Sequence, residues 1–263
     1  MNRYENLKVK FDNCEKVVGT TMLMLKNPVL LEKMVCPELD FILMDTEHGF
    51  FDTQNVIPML HTCRMLGMPS FVRVQDSEYH LIAKAIDMGA DGVMIPRVET
   101  LEQIKTVIDA VCFAPIGRKG AGGYAQMRPG ESFEQFQKSR FIALQIESQK
   151  GIDNLPTMLE TYGEHIDAVI IGPNDLSVML GTPFECKSEI MEKACKQIFD
   201  ICKRYNKSCG IFCNDAADAA HYRDLGANVF WTASDIQYYM RGFAETMQEL
   251  KEMHRPAPEA TFM

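Results

Sequence analysis

Eight short apolar runs recur along this chain, each followed by a segment whose apolar residues return at helical spacing. No other feature constrains the fold as tightly. The runs are Lys16–Leu23, Phe41–Met44, Ser70–Val74, Gly92–Ile95, Phe141–Ile146, Ala168–Ile171, Cys209–Phe212 and Val229–Trp231. Phe41–Met44 shows the pattern plainly: apolar residues in unbroken succession suit a strand buried on both faces, as in a parallel sheet. The intervening helices are expected from Asn27-Pro28 to about Val35, from Thr53 to Met65, and over Leu81, Ile82, Ala85 and Ile86 up to Gly89. Pro28 is tolerated in a first turn. Further helices are expected over Leu101 to Val111, Ile152 to Tyr162, Ile190 to Tyr205, and from Asp215 to just before Gly226. The last carries Ile236, Met240, Phe243, Met247 and Leu250. Eight such units over roughly 250 residues are the pattern of a (β/α)8 TIM barrel. A doubly wound open sheet is the alternative, but no GxGxxG follows the first strand. The expectation is one α/β barrel domain over residues 1–263, with 1–15 as an N-terminal extension and 254–263 as a flexible tail.

Composition narrows the setting. The chain has 263 residues and a net charge of −9, with no block of lysine or arginine, which argues against a nucleic-acid surface. No run of about 18 apolar residues is present, and the first residues lack a signal h-region. The expected compartment is the cytoplasm, with no membrane partner. The nine cysteines are odd in number and form no CxxC pair; they read as small buried apolar residues in a reducing compartment. Most of the 18 methionines read as core filler.

The chemistry gathers at the carboxyl ends of the expected strands, where a barrel carries its active site. Asp45, Glu47 and His48 follow the second strand, Arg73 ends the third, Gln145 and Glu147 end the fifth, Asp175 follows the sixth and Asp235 the eighth. Each has a plainer reading. Arg73 could pair with Asp45 or Glu47, Glu147 could cap a helix, and Asp175 could form a turn within Pro173-Asn174-Asp175. Their convergence on one rim is harder to explain that way. Glu147 and Asp175 stand one βα unit apart and can share a divalent cation, leaving positions for water and substrate. Arg73 can reach a carboxylate or a developing oxyanion. His48 can exchange protons near neutral pH. The combination suggests formation or protonation of an enolate. A Schiff-base lysine would be the other route. No strand core contains a lysine, Lys16 sitting at the outer start of the first, and Lys119, in a Gly-rich loop over Pro115–Gly130, is the one lysine expected near the mouth.

These residues resemble the HpcH/HpaI aldolase family, the metal-dependent class II pyruvate aldolases of the phosphoenolpyruvate/pyruvate barrel superfamily. The resemblance runs from about Val18 to Met247. Its motifs are Asp40-Phe-Ile-Leu-Met-Asp-Thr-Glu-His48, Phe71-Val-Arg73, Gly89-Ala-Asp-Gly-Val-Met-Ile-Pro96, Gln145-Ile-Glu147 and Ile171-Gly-Pro-Asn-Asp-Leu-Ser177. It implies that Glu147 and Asp175 bind Mg²⁺, Mn²⁺ or Co²⁺, chelated in turn by pyruvate, and that Arg73 stabilises the enolate. It implies that His48 acts with a metal-bound water as general base, paired with Asp87. Asp45 would support the site, and Gln145 would contact substrate. The segment Gly172, Pro173 and Asn174 would border the substrate carboxylate, held by backbone amides of which Pro173 has none.

Two positions depart from the family. Thr21 stands where a tryptophan is frequent, and Lys119 stands where the family's loop carries an arginine nearby. Both are expected to border the acceptor aldehyde. The resemblance implies a lyase that cleaves a 4-hydroxy-2-oxo acid to pyruvate and an aldehyde. It also implies a homo-oligomer, a hexamer built of dimers, with the C-terminal helix exchanged between subunits. A citrate-lyase-type enzyme acting on a CoA thioester and a non-catalytic barrel are the rival readings.

Overall fold

The structure is a computed structural model that describes residues 2–253. The expected flexible tail, 254–263, lies outside the described residues. Eight parallel strands, β1 (Val17–Met22), β2 (Phe41–Asp45), β3 (Ser70–Arg73), β4 (Gly92–Ile95), β5 (Phe141–Ile146), β6 (Ala168–Ile171), β7 (Ser208–Cys213) and β8 (Val229–Ser234), close in sequence order into a barrel. β8 pairs back onto β1 to complete it. The helices are α1 (Arg3–Asp12), α2 (Pro28–Met34), α3 (Thr53–Met65), α4 (Tyr79–Asp87), α5 (Leu101–Val111) and α6 (Phe133–Ser139). They continue as α7 (Gln149–Tyr162), α8 (Pro173–Met179), α9 (Glu189–Arg204), α10 (Ala216–Leu225) and α11 (Asp235–Glu252). None of the described helices is long and apolar enough to cross a membrane.

Strand residues alternate between two cores. Even-numbered β2 residues such as Ile42 and Met44 pack outward under the helices, with Val72, Val93, Leu144 and Val169. Phe41, Leu43, Phe71, Met94, Phe141, Ala143, Ile170, Val229 and Trp231 fill the barrel itself. Phe41 and Phe71 pack 4.9 Å apart, and Phe71 and Phe141 5.5 Å apart. Gly19 makes room for them: a Cβ there would stand 2.1 Å from the Phe41 ring. Leu7 and Phe11 of α1 complete this inner core from below, with Phe11 5.8 Å from Phe141. The N-terminal extension is therefore a helical plug. Its sequence signal is weak because only Leu7 and Phe11, one turn apart, are buried in an otherwise polar stretch. A capping box between Asn2 and Glu5 starts it.

The inward rows end at the carboxyl rim in polar residues. Asp45 continues the row of Phe41 and Leu43, Arg73 continues Phe71, and Gln145 continues Phe141 and Ala143. The core alternation thus aims each of them into the mouth. Two further differences from expectation bear on the site. The Pro173-Asn174-Asp175 segment opens helix α8 rather than an isolated turn, and β8 runs on to Ser234.

Candidate active site

Asp45 is fully buried and lies in register with Arg73 on the neighbouring strand. Arg73 Nε donates to Asp45 Oδ1 at 3.0 Å, and Nη2 donates to Oδ2. Asp45 Oδ1 also accepts the backbone N–H groups of Glu47 and His48, at 3.0 and 3.2 Å. One carboxylate therefore orients the guanidinium and turns the loop that carries His48. Arg73 Nε also lies 3.4 Å from Glu47 Oε2. Burial works against the Arg73 charge, but Asp45 first, then Glu47 and Glu147, hold its pKa above the ordinary value. Beneath the guanidinium lies the Trp231 indole, 5.0 Å from Arg73 Cζ. His48 has a half-exposed side chain, with Nε2 3.8 Å from Glu47 Oε2.

Glu147 stands beside this pair, 4% exposed. Gln145 Nε2 donates to its Oε1 at 2.6 Å, and the Arg97 backbone N–H donates to its Oε2 at 3.0 Å. Burial raises its pKa to about 7, and the charges of Asp175 and Glu47 push the same way. Gly172 faces it, and a Cβ there would stand 1.9 Å from Glu147 Oε1 and 2.5 Å from Gln145 Nε2. Gln145 Oε1 is buried without a hydrogen-bond partner among the described residues. Asp175 lies in the first turn of α8, whose N-terminus has no side-chain cap. Buried carboxylate, neighbouring carboxylate, free amide oxygen and the space kept by a glycine suit a hard divalent cation with oxygen ligands.

A cavity of about 340 Å³ opens on this rim. Thr21, Asp45, His48, Arg73, Gln145, Gly172, Pro173, Asn174 and Asp175 line it, as do Leu23, Phe212, Trp231, Ser234, Ile236 and Gln237, which sequence reasoning missed. Phe212 and Trp231 were within reach of it, since each ended an expected strand. Ser234 and Gln237 were hidden because β8 was ended three residues early, and Ile236 was read only as part of the last helix's apolar stripe. Asp235 turns its carboxylate to the loop after β1, accepting N–H groups of Leu23, Met24 and Leu25 at 3.0, 3.1 and 2.6 Å.

Asp87 and Lys119 are not among the residues lining the cavity. Asp87 is the last residue of α4, a helix that runs back from the rim towards the start of β4. Its partner within the chain is Lys119 Nζ, not His48. Lys119 is buried, 5.9 Å above the Phe113 ring, and Gly120 N–H donates to Tyr79 OH at 3.2 Å. The Gly-rich segment connects the end of α5 to α6 and lies along α4. It is an αβ connection, so the expectation that Lys119 borders the mouth fails on topology.

A closed barrel with a small cavity at its carboxyl rim, lined by acids around one arginine and one histidine, defines a barrel enzyme that takes a small molecule at its mouth. A family model described as HpcH/HpaI aldolase/citrate lyase matches residues 21–241. The chain belongs to this family and is a carbon–carbon lyase. It is 31% identical over 216 residues to the 5-keto-4-deoxy-D-glucarate aldolase of Klebsiella pneumoniae, covering 81% of this chain and 84% of the relative. The aldolase of the same name from Escherichia coli K12 is 30% identical over 216 residues, covering 81% and 84%. The crystal structure of an HpcH/HpaI aldolase from Desulfitobacterium hafniense superposes with a TM-score of 0.88 at 24% identity, covering 96% of this chain and 99% of that one, a likeness of fold.

Proposed function

We propose that this enzyme cleaves a 4-hydroxy-2-oxo acid reversibly to pyruvate and an aldehyde. The observation that carries the reading is the joint placement of Glu147, Gln145 and Asp175 beside an arginine held by Asp45. The relatives' named substrate agrees in class: numbered from its keto end, a 5-keto-4-deoxy hexarate is a 4-hydroxy-2-oxo acid. In cleavage His48 takes the proton from the 4-hydroxyl. The C3–C4 bond breaks, the aldehyde departs, and the bond's electron pair passes into the pyruvate enolate, whose C3 then takes the proton back from His48. Arg73, kept charged and oriented by Asp45, faces the enolate oxygen. First-turn amides of α8 receive the substrate carboxylate. A divalent cation held by Glu147 and Asp175 would supply Lewis acidity towards the keto oxygen.

The test is pyruvate release from a panel of 4-hydroxy-2-oxo acids with and without EDTA. EDTA should abolish it, and Mg²⁺, Mn²⁺ or Co²⁺ should restore it. Glu147→Gln and Asp175→Asn should each weaken metal binding, read by calorimetry, with the fold intact by circular dichroism. Borohydride with pyruvate should trap no adduct. A lysine adduct together with EDTA-resistant activity would overturn the assignment.

A further inference from the structure

We propose that Arg97 is a positioning residue that joins two sides of the site, its backbone setting Glu147 and its side chain setting Glu47. The proposal rests on the aldolase reading above, because Glu147, Arg73 and His48 take their roles from it. Arg97 lies two residues beyond β4, after Pro96, with φ at +50°, a left-handed backbone that non-glycine residues seldom adopt. Three hydrogen bonds hold it there. Its own N–H donates to Glu147 Oε2 at 3.0 Å, and the next N–H, of Val98, donates to Gln145 O at 3.1 Å. Its carbonyl accepts from Gln103 Nε2 at 3.1 Å. Gln103 is itself fixed by the capping box that starts α5. A backbone held in a sparsely populated conformation persists only where its surroundings over-determine it. The result here is an amide aimed at a buried carboxylate.

The same turn sends the guanidinium across the rim. Nη1 donates to Glu47 Oε1, and Nη2 donates to Gln75 O at 2.7 Å and lies 3.9 Å from Asp76 Oδ2. The Glu47 side chain is 6% exposed, so its charge is met within the protein. Its other oxygen, Oε2, lies 3.4 Å from Arg73 Nε and 3.8 Å from His48 Nε2. Arg97 therefore takes one side of this carboxylate and leaves the other between the two groups assigned to the enolate and the proton. Without Arg97 the whole of that charge falls on Arg73 and His48. It would then draw the guanidinium from Asp45 and the imidazole from the 4-hydroxyl. The Arg97 side chain is half exposed, so water screens its ion pair and little stability depends on it. What the pair controls is the placement of groups that act in the transition state, and loss of such placement falls on kcat.

Two substitutions separate the backbone from the side chain. Arg97→Gly keeps the left-handed backbone and its amide and removes the guanidinium. Arg97→Val removes the guanidinium as well and forces a β-branched residue into a region it avoids. Deuterium exchange at the pyruvate methyl with Mn²⁺, read by mass spectrometry, gives kcat and KM, and calorimetry gives the Mn²⁺ affinity. Arg97→Gly should lower kcat for exchange about tenfold or more, with a smaller change in KM, and should bind Mn²⁺ within about threefold of wild type. Arg97→Val should in addition weaken Mn²⁺ binding about tenfold. In a Glu47→Gln background Arg97→Gly should cost less than about threefold in kcat, because the carboxylate it acts through is gone. Circular dichroism checks the fold, and Arg97→Ala serves if Arg97→Val does not fold. Wild-type kcat in Arg97→Gly would overturn the proposal, as would the same cost with and without Glu47→Gln. Equal Mn²⁺ affinity in Arg97→Gly and Arg97→Val would overturn the role given to the backbone. A wild-type enzyme that exchanges no pyruvate protons would overturn the aldolase reading itself, and this proposal with it.

Discussion

Asp45 shows how much one buried carboxylate can organise. It fixes the Arg73 guanidinium from below and the Glu47–His48 backbone from above. Removing it leaves a buried cation without its two hydrogen-bonded oxygens, with only the longer contact to Glu47. Asp45→Ala should therefore lower stability by about 3–5 kcal/mol, read as a shift in the urea midpoint. An unchanged midpoint would mean that Arg73 finds another partner. His48, half-exposed and held by its backbone, makes the opposite prediction. His48→Ala should leave the urea midpoint unchanged while cleavage falls about 10²–10⁴-fold. A wild-type kcat at neutral pH would return His48 to a structural role. Asp45, Arg73 and Gln145 were legible in the sequence because each extends an apolar inward row by two residues, and Glu147 because it follows Gln145 at the same strand end. Asp87 and Lys119 were not, because their pairing depends on how a long connection lies along α4, and no local pattern encodes that. Trp231 was overlooked for another reason: an aromatic at a strand end reads as core, and here it is both core and cavity wall.

At the level of elements, strand and helix positions followed from periodicity, while α1, α6 and α8 did not. The last two span seven residues each, too few for a stripe to declare itself. The connection before α6 is secured instead by charge. Glu131 accepts from Arg140 Nη2 at 2.7 Å and from Arg128 Nη1 at 2.9 Å, and Arg140 also donates to Gln126 O at 2.5 Å. Burial works to raise the Glu131 pKa, but Arg140 and then Arg128 outweigh it and bring it to about 2. The folded value lies below the unfolded one, so this contribution is full above the ordinary carboxyl range and fades as pH falls towards 2. Glu131→Gln should cost about 3 kcal/mol at pH 7 by the unit-shift relation, and the difference from wild type should close between pH 4.5 and 2. Chemical denaturation across that range measures it, and a gap that stays constant with pH would show that the ion pairs contribute nothing.

For the whole molecule, the outer wall is unfinished at one seam. Tyr239, Met240, Phe243 and Leu250 of α11 are each more than half exposed. A groove of about 520 Å³, lined in part by Val18, Leu25, Leu30 and Met34, lies beside the root of the helix. Apolar surface on this scale favours association. We expect a homo-oligomer, and a stable monomer by light scattering at micromolar concentration would count against it. The plug at the other end has a consequence of a different kind, in the order of events. Helix α1 precedes the barrel in the chain, yet its seat is assembled from distant parts. Phe11 O accepts from Ser208 Oγ at 2.8 Å, Lys8 pairs with Asp167 at 2.7 Å, and Leu7 and Phe11 pack in the core that Phe141 and Val229 share. That seat does not exist until β5 to β8 have come together, so α1 must dock late. Contacts made after the folding barrier govern how fast a native molecule opens rather than how fast it forms. Leu7→Ala, with an expected loss of about 2–5 kcal/mol, should therefore speed unfolding steeply and leave refolding nearly unchanged in stopped-flow traces. The first helix of the chain would then act as the latch that closes last.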